Sequence, residues 1–275
     1  MTTLKNHLIL FDAECPMCRV YTRAFVESGM LDRQGRAAYQ EINEQACPVL
    51  DRQRAANEIA LVNLETGEVT YGVQSLFTVF AAPFPVLKPL FLFLPFVWLM
   101  SRLYAFISYN RRVIVPASIT SEGDFNIQPS FRLDYRIAYL LVSCLFTAKI
   151  LSDYSLLLKG LIPAGNPFRE YMICGGQLLF QGIIIGVLDR SKRWEYLGNM
   201  MTISFAGALL LLPALLLAPW LNLSSAFYGG WFLGVAALML LEHIRRSKLL
   251  QLGYGMSFSW ALYRVLVLLF ILITT

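Results

Sequence analysis

Past Asp134 the chain is built from apolar runs of nearly one length, and no other feature restricts its fold so strongly. Five of them, residues 136–158, 170–188, 196–218, 226–243 and 256–274, approach the ~20 residues that an α-helix needs to cross a bilayer core. Backbone surrounded by lipid must satisfy its own N–H and C=O groups, which leaves the helix as the solution for runs of this length. An all-α transmembrane bundle of about five spans is therefore expected for residues 135–275. Lys149 and Asp153 interrupt the first run and, four apart on one helix face, are expected to pair.

The charge distribution supports the same division. Residues 1–134 hold 12 Lys and Arg against 13 Asp and Glu, whereas residues 135–275 hold 11 against 5. The net charge of +5 thus sits in the second part. No basic stripe with interleaved aromatics accompanies it, which argues against a nucleic-acid partner. The basic residues cluster between the apolar runs instead: Arg190, Lys192 and Arg193 in one loop, Arg245, Arg246 and Lys248 in another. Lys and Arg are retained on the cytoplasmic side. The expectation is an integral multi-pass protein in the lipid bilayer, with its N-terminal part cytoplasmic and its C-terminus outside. Arg264 lies deep in the last run, where an ionisable group needs a partner or a polar cavity. It is expected to snorkel or to pair with Glu242; the functional alternative is a site for an anionic headgroup or a quinone-like ligand. His243, at the end of the fourth run, reads as interfacial. Cys144 and Cys174 fall at depths that differ by roughly 12 Å, too far for a disulfide, and read as packing residues.

The first part has a different texture. The opening segment lacks the h-region and cleavage site of a secretion signal, and an odd count of 5 cysteines argues against a secreted disulfide framework. A reducing cytosol suits it. His7–Phe11 is short and apolar, and apolar residues recur near helical spacing from Pro16, so a strand feeding a helix is expected. Gly29 and Gly35 bracket that helix's end. Ala37 to Ile42 suits a second strand and Asp51 to Asn57 a short helix or loop. Glu58–Leu64 and Glu68–Gly72, joined across Gly67, predict a β-hairpin. A helix from Val73 is stopped by Pro83 and Pro85. Residues 84–107 are apolar but broken by Pro89, Pro95, Lys88 and Arg102, and are expected as amphipathic helices against the bilayer or on the membrane domain. The domains read as 1–112, a polar linker 113–134, and 135–275.

Between the first strand and helix stands Asp12-Ala-Glu-Cys15-Pro16-Met-Cys18-Arg19. A thiol attacks as thiolate, and a helix N-terminus lowers its pKa. Cys15 is thus expected to be the nucleophile, the more exposed and more acidic thiol. Cys18, one turn on, is placed to resolve a mixed disulfide. Pro16 suits the first helical position. Arg19 adds positive charge, and Asp12 is a candidate proton acceptor for Cys18 or a cap for the loop. A zinc site needs two more ligands, and Cys47 and His7 are not at ligand spacing, so no metal is expected; the exchange chemistry itself calls for no cofactor.

This segment resembles the opening motif of the DCC family of thiol-disulfide oxidoreductases. Leu103-Tyr104-Ala-Phe-Ile-Ser-Tyr-Asn110-Arg111 is similar to that family's Tyr-x-x-Ile-x-x-Asn-Arg ending. The resemblance implies an α/β thioredoxin-like N-terminal domain and maps functional roles onto Asp12, Cys15 and Cys18. No Pro stands just before the 58–64 strand, where a typical thioredoxin has one beside its active site. The expected function is thiol-disulfide exchange, at a cytoplasmic Cys-Pro-Met-Cys site, with a protein or small-molecule thiol or disulfide. The alternative is a transporter, lipid-binding or partner-binding membrane module with a regulatory redox-sensing domain.

Overall fold

A computed structural model describes residues 2–42, 47, 49–116, 127, 129–163, 165–221 and 223–273. The chain divides into two compact units, Met1–Tyr135 and Arg136–Thr275. Half of the polar stretch 113–134, namely 117–126 and 128, lies outside the described residues.

In the first unit, β1 (His7–Phe11) leads into α1 (Pro16–Glu27), β2 (Arg36–Ala38), α2 (Arg52–Asn57), β3 (Ala60–Asn63), β4 (Val69–Tyr71) and α3 (Val73–Ala81). The sheet order is β2-β1-β3-β4, with β1 parallel to β2 and antiparallel to β3, and β3 antiparallel to β4. Successive strand residues point to opposite faces. Ile9 and Leu61, paired across the sheet, pack with Phe25 of α1 and Val79 of α3. Leu10 and Ala60, the next pair, pack with Ala55 and Ala56 of α2 on the other face. Helices on both faces of this mixed four-stranded sheet make the unit thioredoxin-like.

Local chemistry sets the ends of the elements. Gly29, at φ +74°, closes α1: Met30 N donates to Phe25 O at 2.9 Å and Gly29 N to Val26 O at 3.0 Å. Both bonds satisfy carbonyls that the last turn leaves open, and a left-handed residue is needed to form them. The hairpin turns at Gly67, φ +71°. The second strand is shorter than the expected run to Ile42, because Tyr39–Glu41 forms a 3₁₀ turn. That turn buries Tyr39 and swings the Gln40 side chain onto Asp12 and the Ala13 N–H.

The apolar stretch from residue 84 folds as expected into broken helices. Pro85–Leu92, ending in α4 (Lys88–Leu92), and α5 (Leu94–Ile114) meet at 88°. By length and composition the bent pair counts as a possible sixth crossing. Its two ends differ, however: Val86, Leu92, Leu94 and Trp98 are exposed, while Asn110, Arg111 and Val113 are buried in the first unit.

The second unit is helical: α6 (Leu133–Ser155), α7 (Arg169–Leu188), α8 (Arg193–Leu221), α9 (Ser225–Leu249) and α10 (Gly255–Ile273). All five are long and apolar enough to cross a membrane. Lys149 and Asp153 pair, Nζ to Oδ1 at 2.5 Å. His243 is packed among these helices: it is 1% exposed, its Nε2 lies 3.1 Å from the Tyr196 hydroxyl, its Nδ1 2.9 Å from Ser257 Oγ, and its ring stacks on Trp260. One expectation is corrected. Arg264 does not pair with Glu242, which binds Arg245 and Arg246 on its own helix at 2.6 and 2.7 Å. The Arg264 guanidinium lies over the Trp260 ring, 4.5 Å from its centroid. Cys144 and Cys174 form no disulfide, and Cys144 packs against the Leu140, Tyr196 and Trp260 cluster.

Candidate active site

The strand β1 ends at Phe11, and α1 begins at Pro16 after four intervening residues. Cys15 is the N-cap, with Pro16 in the first helical position, where its missing N–H costs no hydrogen bond. The Cys18 N–H donates to Cys15 Sγ at 3.3 Å, so the sulfur occupies the position of a capping oxygen. Buried Cys18, Thr22 and Phe25 form one stripe down α1. Thus the same periodicity that seats the helix on the sheet carries Cys18 beneath Cys15.

Exposure does not rank the two thiols, contrary to the expectation, since Cys15 is 3% and Cys18 2% exposed. Acidity separates them. The Cys15 thiol is lowered to about 7, first by the hydrogen bond it receives from the Cys18 thiol, against the penalty of burial, and further by the charge of Arg111. The Cys18 thiol is pushed up, because it is the donor in that bond and because it is buried.

Asp12 is 2% exposed and well held. Its Oδ1 accepts from the Glu14 N–H and from Gln40 Nε2, each at 3.0 Å, and its Oδ2 from an Arg111 terminal nitrogen at 2.8 Å. Arg112 stands 3.7 Å from the same oxygen and pairs with Glu14 at 3.1 Å. Arg111, itself 4% exposed, also donates to the Asn57 carbonyl at 3.0 Å and to the Ala56 carbonyl. Those carbonyls end α2 immediately before β3. The guanidinium therefore ties the loop before Cys15 to the entrance of the neighbouring strand, and its charge acts on both sulfurs.

Arg111 reaches this position from the far end of the unit because α5 lies along it. Tyr104, on the same helix, accepts a hydrogen bond from the Ile59 N–H at 3.0 Å, and the Asn110 amide donates to the carbonyls of Phe106 and Tyr135. Sequence reasoning assigned no site role to Arg111; its signal was the Asn-Arg ending itself. Of the residues it did single out, Asp12, Cys15, Pro16 and Cys18 come together, and Arg19 lies one turn along α1 with its side chain exposed. His7 begins β1 at the opposite end of the strand, and Cys47 packs against the Tyr39 and Leu50 cluster.

Residues 9–115 match a family described as DCC1-like thiol-disulfide oxidoreductase, a span that contains both cysteines, Asp12, Tyr104 and Arg111. No curated protein and no solved structure matches the chain. The N-terminal unit is therefore built around a DCC1-like thiol-disulfide oxidoreductase domain, which five helices long and apolar enough to span a membrane follow in the same chain.

Proposed function

We propose that Cys15 and Cys18 are the dithiol/disulfide centre of a membrane-anchored oxidoreductase. The observation that carries this reading is the position of Cys15 Sγ, which caps a helix and receives the Cys18 N–H beside a buried guanidinium. Each of these favours the thiolate. The Cys15 thiolate attacks one sulfur of a disulfide and expels the other as a thiolate. Cys18, once deprotonated, attacks Cys15 in the mixed disulfide and releases the second half, so that two electrons leave the protein. Asp12 is the candidate proton acceptor by sequence. Its carboxylate is filled by Gln40, Glu14 and Arg111, and we assign it the role of holding Arg111 against the pair.

The reading extends to topology. The basic residues of the α7–α8 connection and of the end of α9 favour a cytoplasmic redox domain, with Thr275 outside. A membrane-impermeant thiol reagent should label Ser224→Cys in intact cells and leave Ser191→Cys unlabelled; the reverse pattern refutes this orientation.

The central test uses the full chain in nanodiscs. Cys18→Ser, mixed with 2-hydroxyethyl disulfide, should accumulate a mixed disulfide at Cys15 by mass spectrometry, whereas Cys15→Ser should not react at position 18. Adduct formation at Cys18 with none at Cys15 reverses the roles. A wild-type pair that no disulfide oxidises rejects the function.

A further inference from the structure

Two open hollows border the start of α1. One, of about 330 Å³, is lined by Pro16, Arg19, Val20, Arg23 and Arg36. The other, of about 370 Å³, has Phe11, Ala13, Arg19, Arg36, Ala38 and Glu41 in its lining. Arg19 and Arg36 belong to both, so the two form a trough with a shared cationic wall. Cys15 itself lines neither hollow, but Pro16, which follows it in the chain, lines the first and Ala13, two residues before it, lines the second.

The charges along this wall are poorly compensated. Among the described residues neither Arg19 nor Arg36 has a carboxylate partner. Arg23 pairs with Glu27 at 2.6 Å, but both side chains are largely exposed, so water and solutes compete for that pair. Glu41 is the acidic residue of the lining. The Arg36 guanidinium is spread over the Phe11 ring, 4.5 Å from its centroid, which fixes it in place on the sheet edge. Burial first, and then the like charges of Arg23 and Arg19, lower the pKa of Arg36, with the charge of Glu27 acting against them. Guanidinium groups suit carboxylates by their fork of donors. The hollows have the size of sites for small molecules.

We propose that this trough seats the carboxylates of a small anionic disulfide, the substrate that Cys15 attacks. The proposal rests on the exchange reading above. With RSSR as that disulfide, the reduced pair forms Cys15–S–S–R and releases one RS⁻. Cys18 then displaces the second RS⁻, giving the Cys15–Cys18 disulfide; the protein is oxidised by two electrons and two thiols are made.

The test is single-turnover oxidation of the reduced full-length protein in phosphatidylcholine nanodiscs at low salt. Three probes are compared: glutathione disulfide (anionic), 2-hydroxyethyl disulfide (neutral) and cystamine (cationic), each rate divided by that of the same probe with dithiothreitol. The normalised anionic-to-neutral ratio should be about tenfold or more and fall with ionic strength. Arg36→Gln should lower that ratio at least about threefold, and Arg19→Gln combined with it should bring it near one, while Arg36→Lys keeps most of it. A change in the thiolate itself slows all probes together and cancels in the ratio. A wild-type protein that reacts with all three without charge preference, or a ratio that survives the double substitution, overturns the anion site and leaves the exchange function standing. Failure with every probe overturns both.

Discussion

The two units bury different mixtures of polar groups. In the first, a full ion pair is sunk into the core: Asp12 and Arg111 are 2% and 4% exposed, and Arg111 also satisfies carbonyls at the end of α2. In the second, the outward positions of the helices are apolar, as at Leu179, Ile183, Val187 and Leu241, and the groups turned inward are mostly neutral polar side chains, with Arg136 and Arg246 among them. Gln181, Tyr196, His243 and Ser257 form a hydrogen-bonded chain between α7, α8, α9 and α10. Water can hydrate the first unit's polar groups when it unfolds, so burying charge there is expensive and persists where the charge has a use. Lipid offers no such solvation, and polar groups meet one another by default.

The comparison can be broken at several points. The largest effect is expected at Arg111. Arg111→Met leaves the Asp12 carboxylate buried without its cation, and should lower the stability of the first unit by about 3–5 kcal/mol, measured by thermal or denaturant unfolding of the full chain. Adding Asp12→Asn should restore a good part. A loss below about 1 kcal/mol would mean that water reaches the pair.

Reactivity comes next. Because the thiolate is the reactive form, alkylation of Cys15 should rise about tenfold per pH unit below a midpoint of about 7 and level off above it. The linked stability has a definite sign. The Cys15 pKa is depressed in the folded protein, so its contribution is complete above the ordinary thiol value and is lost as pH falls through about 7. The raised Cys18 acts in the opposite sense, above the ordinary thiol value. A flat alkylation profile from pH 6 to 9 would remove the activated thiolate.

The smallest effect is expected in the membrane unit. Tyr196→Phe deletes a hydroxyl that bonds both Gln181 and His243, at 2.9 and 3.1 Å. Hydrogen bonds between membrane helices average about 0.6 kcal/mol and reach about 1.7, so the loss should stay within that range when unfolding is followed in a mild detergent. A cost like that of Arg111→Met would show that the two interiors are more alike than this contrast holds.

How much the sequence disclosed follows from the range of the forces involved. The strand–Cys-x-x-Cys–helix unit, the Gly67 hairpin and the five apolar helices rest on neighbours in the chain, and all were legible. Tyr39 was harder, since an aromatic residue suits a strand as well as the 3₁₀ turn that buries it. The Asp12–Arg111 pair joins residues 99 apart, and nothing local announces it beyond the Asn-Arg ending. The polar partners of His243 were not legible, because Tyr196, Ser257 and Trp260 lie on other helices. For Glu242 the local rule prevailed: cations three and four residues away on its own helix took the carboxylate before Arg264, in another helix, was within reach.

The reach of Arg111 also has a consequence in time. A ribosome that has made Cys15 must add 96 further residues before Arg111 exists, which at about 5–20 residues per second takes roughly 5–20 s. For most of that interval the strand, both cysteines and α1 have been made, but the cation that favours the thiolate has not. On the proposed reading, the nascent pair lacks part of its reactivity until α5 has folded back onto it, and the exchange site is completed only when its domain is complete.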